Sequence, residues 1–254
     1  MSNWVGFWTL VKREIVRTFS IINQVIWPPV ITTLLYVFIF GLALGSQIKS
    51  IGGVPYASFL IPGLIMLQVI DQTYGESSSS FFQGRFMNSI QELLIAPLSA
   101  PEIVFGYLVS GVLRALFIAG LITVLGVLLV HTTPTNWGLY FLVIILVAVL
   151  FSSLGIVFGM FAEKFDHIAT LTTFVITPLV FVGGTFTSIH FLPPLLQRIS
   201  LVNPMFHMID AFRYSYSGHG DAPLGTSLAI VAGLALISTI TALTLTARGF
   251  KLRT

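Results

Sequence analysis

An all-α integral membrane fold is what this sequence predicts, on three observations. Hydrophobic residues make up 56% of the chain and charged residues only 8%, with a mean hydropathy of +0.96; soluble domains carry roughly 25% charged residues. Six apolar runs have the ~20-residue length that crosses a hydrocarbon core. The polar breaks between them hold most of the ionisable side chains. The 254 residues are used up by these spans, so residues 1–254 read as a single transmembrane domain. The net charge of +3 and pI near 9.3 do not amount to a basic field fit for nucleic acid; the basic residues read as topology signals. The chain has no cysteine, which excludes disulfides, thiol catalysis and zinc-thiolate sites.

The first element is an amphipathic helix over 4–24. Trp4, Phe7, Trp8, Val11, Ile15, Phe19 and Ile22 share one face, with Lys12, Arg13, Glu14 and Arg17 on the rest. Aromatic and basic faces of this kind lie in the membrane interface. The charges sit mid-helix and the long apolar run starts later, unlike a cleaved signal. Span one is 28–45, opened by Pro28-Pro29, whose missing N–H groups are harmless at a helix start. Span two, 56–80, carries Asp71, Glu76 and four serines. Spans three and four are 102–130 and 137–162. Span five, 167–187, is disturbed by Pro178 and Gly183-Gly184, and span six is 224–247. Gly41 with Gly45, and Ser152 with Gly155 and Gly159, are small-residue patterns that suit either a dimer seam or tight packing within one protomer.

With both termini in the cytoplasm, Lys12, Arg13, Arg17, Arg85, Lys164, Arg248, Lys251 and Arg253 lie inside, against Lys49, Arg198 and Arg213 outside. Arg114 falls within a span. That asymmetry favours this orientation. The stretch 81–100 is then a cytoplasmic interruption. Phe82, Phe86, Ile90 and Leu93 form an apolar stripe, expected to face the spans. Arg85, Met87, Asn88, Gln91, Glu92 and Ile95 are left for a partner. Pro97 ends this helix, and Ser99 with Pro101 starts the next.

The segment 190–216 is expected outside, yet it is too apolar for a solvated linker. Asn203-Pro204 is an N-cap and N1 pair, so a short helix follows, with Met205, Met208, Ile209, Phe212 and Tyr216 on its apolar face. Short helices dipping into the outer leaflet satisfy this pattern, as an external gate or as packing over the spans. Intramembrane charge marks Asp71, Glu76 and Arg114. Axial position puts Asp71 and Arg114 at matching depth, as a structural pair or a polar patch in a cavity, with Glu76 as a second partner. His190, His207 and His219 share one side but lack the convergent spacing of a metal site. There is no GxSxG elbow and no HExxH. Glu163, Lys164, Asp166 and His167 form a charged turn on the inner side.

Several spaced motifs occur in order: VIWPPVITTLLYVFIFG, FLIPGLIM, ELLIAPLS, FDHIATLTTFVITPLVFVGGTF and LPPLLQRISLVNPMFHMIDAFRY. Across essentially the whole chain they resemble the permease subunit of type-2 ABC exporters, in its YadH-like bacterial branch. The resemblance implies six spans, a homodimer, and two copies of a separate ABC ATPase that holds ATP and Mg. It also implies that 84–97 is the coupling helix docking into that ATPase, and that 190–216 forms re-entrant external helices. Independently, no GxxxxGK[ST] occurs, so no P-loop grips ATP in this chain. The chain is therefore expected to have no cofactor of its own and no catalytic activity alone. The expected location is the bacterial inner membrane, and the expected substrate an amphipathic drug, lipid or lipid-linked glycan. Two alternatives stand beside this: a proton-coupled secondary transporter using Asp71 and Glu76, and a membrane enzyme using His207, Asp210 and His219.

Overall fold

A computed structural model describes residues 4–44, 50–51, 53–86 and 98–249. The chain is a helical bundle with one addition: two-residue strands Ser50–Ile51 (β1) and Val54–Pro55 (β2) pair antiparallel. This hairpin sits between the first two long helices and leaves the chain in the all-α class.

The helices in order are α1 (Trp4–Ser20), α2 (Ile22–Tyr36, continued by a π-helical stretch Val37–Leu44), α3 (Tyr56–Phe86), α4 (Ala100–Val130) and α5 (Trp137–Phe161). They are followed by α6 (Phe165–Val182, with a π turn over Thr172–Ile176), α7 (Pro194–Val202), α8 (Pro204–Ser217) and α9 (Leu224–Ala247). Five of these, α2, α4, α5, α6 and α9, are long and apolar enough to cross a membrane. The sixth expected span, α3, is 31 residues long, but Gln68, Asp71, Gln72 and Glu76 dilute its hydropathy. Its burial explains the anomaly. Leu60, Ile61, Leu64, Ile65, Met66, Val69, Ile70 and Tyr74 are all fully buried, because α3 runs through the middle of the bundle and packs on α5 and α4.

Pro28 and Pro29 lie inside α2, which starts six residues before them, so they do not open the span as expected. α3 likewise continues through Arg85 and Phe86, past the end expected for span two. Both boundaries of α4 follow their local chemistry. Glu102 accepts the Ser99 N–H at 2.7 Å with Pro101 in the first turn, and His131, at φ 53°, closes the C-terminus in the left-handed region.

Small residues fasten the core. A methyl group at Gly155 would lie 2.9 Å from both Ser78 N and Tyr74 O, and one at Gly159 would lie 2.9 Å from Ser78 O. These glycines are occupied by close approach of α5 to α3 within one protomer, which decides that alternative against a dimer seam for this pair.

Candidate functional site

Side chains that carry charge gather at the two ends of the bundle and in one groove between them. At the end where α1 packs, Glu14 is only 2% exposed. It accepts from Ser80 Oγ at 2.6 Å and pairs with Arg13 at 3.0 Å and Arg17 at 3.2 Å. Arg17 also reaches Glu76. Glu76 in turn meets Arg114 at 2.5 Å, and Arg114 Nη2 donates to Gln72 Oε1 at 2.8 Å. Arg13 extends the chain to the Tyr107 hydroxyl at 3.3 Å. Charges alternate from α1 through α3 to α4, so each buried ion has an opposite neighbour, without which burial is prohibitive.

Of the alternatives left open for Asp71, Glu76 and Arg114, the Asp71–Arg114 ion pair is not formed, and Arg114 takes Glu76, the second partner considered. Matching depth was not enough, because the two carboxylates point different ways. Gln72 and Glu76 are four residues apart and share the face of α3 toward α4. Asp71 lies about 100° round the helix from Gln72, is exposed, and makes no ion pair among the described residues. It opens instead on a groove of about 200 Å³ between α2, α3 and α6, with Gln68, Gln72, Thr32, Tyr36, Thr177 and Phe181. Glu14 is the residue that sequence reading missed. The sequence pattern sets it with Lys12, Arg13 and Arg17 off the aromatic face of α1, although it stands three and four residues after Val11 and Leu10, the two residues buried beside it. The aromatic residues Trp4, Trp8 and Phe19 turn outward, at 66%, 49% and 61% exposure.

Met87, Asn88, Gln91, Glu92 and Ile95, with Ile90 and Leu93, lie outside the described residues. Arg85 is described, and it is not free for a partner. Its guanidinium donates to the Met160 carbonyl and, at 2.7 Å, to that of Ala162. These are the orphan carbonyls at the C-terminus of α5, where a cation is favoured. Phe82 is buried against the Phe165 ring at 4.7 Å, as expected for the anchoring stripe. Phe86 is 73% exposed, contrary to its expected place against the spans. The turn Glu163–His167 is exposed beside it.

At the opposite end, α8 begins as its sequence requires: Asn203 Oδ1 accepts the Met205 N–H at 3.0 Å. Met205, Met208, Phe212 and Tyr216 are buried in the core. Thr123 Oγ1 links two tyrosine hydroxyls, that of Tyr216 at 3.1 Å and that of Tyr140 at 2.9 Å. The residues expected to gate the outside therefore hold α8 to the bundle, since their apolar face found α3, α5 and α9. His207 has both ring nitrogens engaged, Nδ1 with Ser227 Oγ at 3.1 Å and Nε2 with the Leu201 carbonyl at 3.0 Å. Asp210 accepts the backbone N–H groups of Asp221 at 2.7 Å and Ala222 at 3.1 Å. Gly220 lets this loop close, because a methyl there would lie 2.7 Å from the Asp210 carboxylate. Burial raises the Asp210 carboxyl above its usual range, against the pull of those two amides. Burial also brings the Arg213 guanidinium down to about 10, with Asp210 and Asp221 opposing, so it stays protonated at neutral pH. His207, Asp210 and the exposed His219 do not converge, and no metal-binding cluster occurs among the described residues.

Residues 5–216 match the ABC-2 type transporter family. The chain is similar to the inner membrane transport permease YadH of Escherichia coli (strain K12), with 42% identity over 90% of this chain and 89% of that protein. It is more distantly similar to nodulation protein J of Neorhizobium galegae, with 27% identity over 86% of this chain and 83% of the other. Nodulation protein J of Rhizobium meliloti (strain 1021) is 28% identical over 83% of this chain and 80% of its own length.

Proposed function

The chain belongs to the ABC-2 type transporter family, and from that premise we propose that it is the permease subunit of an ATP-driven exporter in the bacterial inner membrane. The observation that carries the reading is the match over most of the chain, joined to the absence of a P-loop from its sequence. It is a component of a transporter and not a catalyst by itself. Two copies of the chain would enclose the pathway, and two copies of a separate ATPase, holding ATP and Mg, would drive it.

In this reading α3 is the sixth span. Its 31 residues extend about 46 Å as a helix, more than the ~30 Å of a hydrocarbon core. Of the residues that dilute its hydropathy, Glu76 faces α4 inside the bundle, and Gln68, Asp71 and Gln72 line the groove. Six spans place both termini on one side, and the basic residues put that side in the cytoplasm. The exposed Phe86 and the neighbouring turn at Glu163–His167 then flank the start of the coupling helix over 84–97. The partner-facing set there is Met87, Asn88, Gln91, Glu92 and Ile95, with Arg85 reassigned to hold α5. The groove with Asp71, Gln68 and Gln72 set among Tyr36 and Phe181 suits an amphipathic substrate: a drug, a lipid or a lipid-linked glycan.

Proton coupling fits less well. Glu76 is clasped by Arg17 and Arg114, which leaves Asp71, of the two carboxylates that reading uses, to load a proton. The deciding experiment is co-purification with the cognate ATPase in lipid and measurement of ATP hydrolysis. Wild type should hold the ATPase and respond to an amphipathic substrate. Ile95→Glu should release the ATPase while the permease keeps its melting temperature. Co-purification and transport at wild-type levels in Ile95→Glu would show that this face is misassigned, and pH-gradient-driven flux without ATP would remove the exporter reading.

A further inference from the structure

At the end of the bundle opposite α1, a cavity of about 310 Å³ opens between the β1–β2 hairpin, the start of α3, the end of α8 and the loop before α9. Its lining is mixed. Ile51, Val54, Phe59, Pro62 and Phe191 make it apolar. Beside them stand two opposite charges, Arg213 and Asp221, that form no ion pair with each other among the described residues.

Arg213 is 5% exposed. Its guanidinium lies 3.9 Å over the Phe59 ring and donates from Nη2 to the Gly184 carbonyl at 2.6 Å, while Nε has no hydrogen-bond partner among the described residues. A buried guanidinium ordinarily has its donors matched, and one held against a ring with a donor left over is short of an acceptor. Asp221 is held in place through Oδ2, which accepts from Ser188 Oγ at 2.7 Å and Ile189 N at 3.1 Å. Among the described residues its Oδ1 has only His190 Nε2 at 3.8 Å, beyond hydrogen-bond reach. The cavity thus offers a fixed cation wanting an acceptor, a fixed carboxylate oxygen wanting a donor, and an apolar lining.

We propose that this cavity binds a zwitterionic aminophospholipid. The phosphate lies toward Arg213, the primary ammonium on Asp221 Oδ1, and the first acyl carbons on Phe59, Pro62 and Phe191. A primary ammonium supplies the hydrogen-bond donors that Asp221 needs; a trimethylated one does not. The depth agrees, because Trp137, half exposed at the start of α5, marks this end as a membrane–water interface. The site depends on the exporter topology only for which leaflet supplies the lipid.

The purified chain in detergent, titrated calorimetrically with dioctanoyl phosphatidylethanolamine, should show one saturable site. Its affinity should exceed those for the phosphatidylcholine and phosphatidylglycerol analogues by at least tenfold. Ser58→Phe, which puts a ring into the cavity, should abolish binding at an unchanged melting temperature. Asp221→Asn should remove the preference for ethanolamine over choline. Equal affinity for all three headgroups, no saturation, or undiminished binding in Ser58→Phe would overturn the site. O-phosphoethanolamine without chains binding as tightly as the lipid would overturn the lipid as its source. The leaflet is read separately. In this cysteine-free chain, Ser217→Cys should react with an impermeant maleimide in intact spheroplasts. Labelling only after lysis, with lipid binding retained, would refute the topology and leave the site standing.

Discussion

The two ends of the bundle hold their buried charges in different ways. At the α1 end, Glu14, Arg17, Glu76 and Arg114 are paired side chain to side chain across three helices. At the far end, Asp210 and Arg213 are held by backbone groups: two amides for the carboxylate and the Gly184 carbonyl for the guanidinium. Pairs between flexible side chains can exchange partners when helices shift, whereas a carboxylate clamped on main-chain amides fixes one loop geometry. The first arrangement joins elements able to move relative to one another. The second freezes a cap.

Three substitutions test that contrast, in decreasing order of effect. Glu14→Ala should be the most damaging, because it removes the buried carboxylate shared by Ser80, Arg13 and Arg17 and leaves the arginines only Tyr107 and Glu76 among the described residues; a loss of about 3 kcal/mol follows from breaking a buried pair. The melting temperature and folded yield of the purified protein read this directly, and a near-wild-type result would mean α1 is not tied to α3 through Glu14. Asp210→Asn keeps the shape but loses the charge and one acceptor oxygen. A cost of about 1–2 kcal/mol is expected, accompanied by faster hydrogen exchange at the Asp221 and Ala222 amides. Unchanged exchange there would sever the link between Asp210 and the loop. Asp71→Asn should be the mildest, within about 0.5 kcal/mol in stability, since Asp71 is exposed and its carboxylate makes no ion pair among the described residues. A double-mutant cycle sharpens the point: Glu76 and Arg114 should couple by about 1–3 kcal/mol, and Asp71 and Arg114 by less than about 0.5 kcal/mol. Stronger coupling for Asp71 would reverse the assignment.

The helical class and the starts of α4 and α8 were legible in the sequence, since hydropathy, Ser99-Pro101 and Asn203-Pro204 are local signals, whereas the start of α2 and the end of α3 were not. What failed among the contacts depended on rotation about a helix axis. Depth along α3 can be counted from its ends, but the choice between Asp71 and Glu76 as partner for Arg114 depends on which neighbour lies at which angle. Glu14 was misplaced for the same reason, as was Arg85, whose reach to the end of α5 is a contact between residues 75 and 77 positions apart. The apolar face of α8 was identified correctly, but a stripe of Met, Phe and Tyr reads the same whether it lines a passage or fills a core.

The glycine contacts between α3 and α5 have a mechanical consequence. Helices this close, with main chain against main chain at Gly155 and Gly159, have no compliant side chains between them to absorb sliding, so α3 and α5 travel as a single strut. α2 and α6, which border the Asp71 groove and are largely unburied, are not locked in this way. Widening that groove is then a matter of two loose staves swinging on a rigid post, and a single added methyl at Gly155 would act by bending the post.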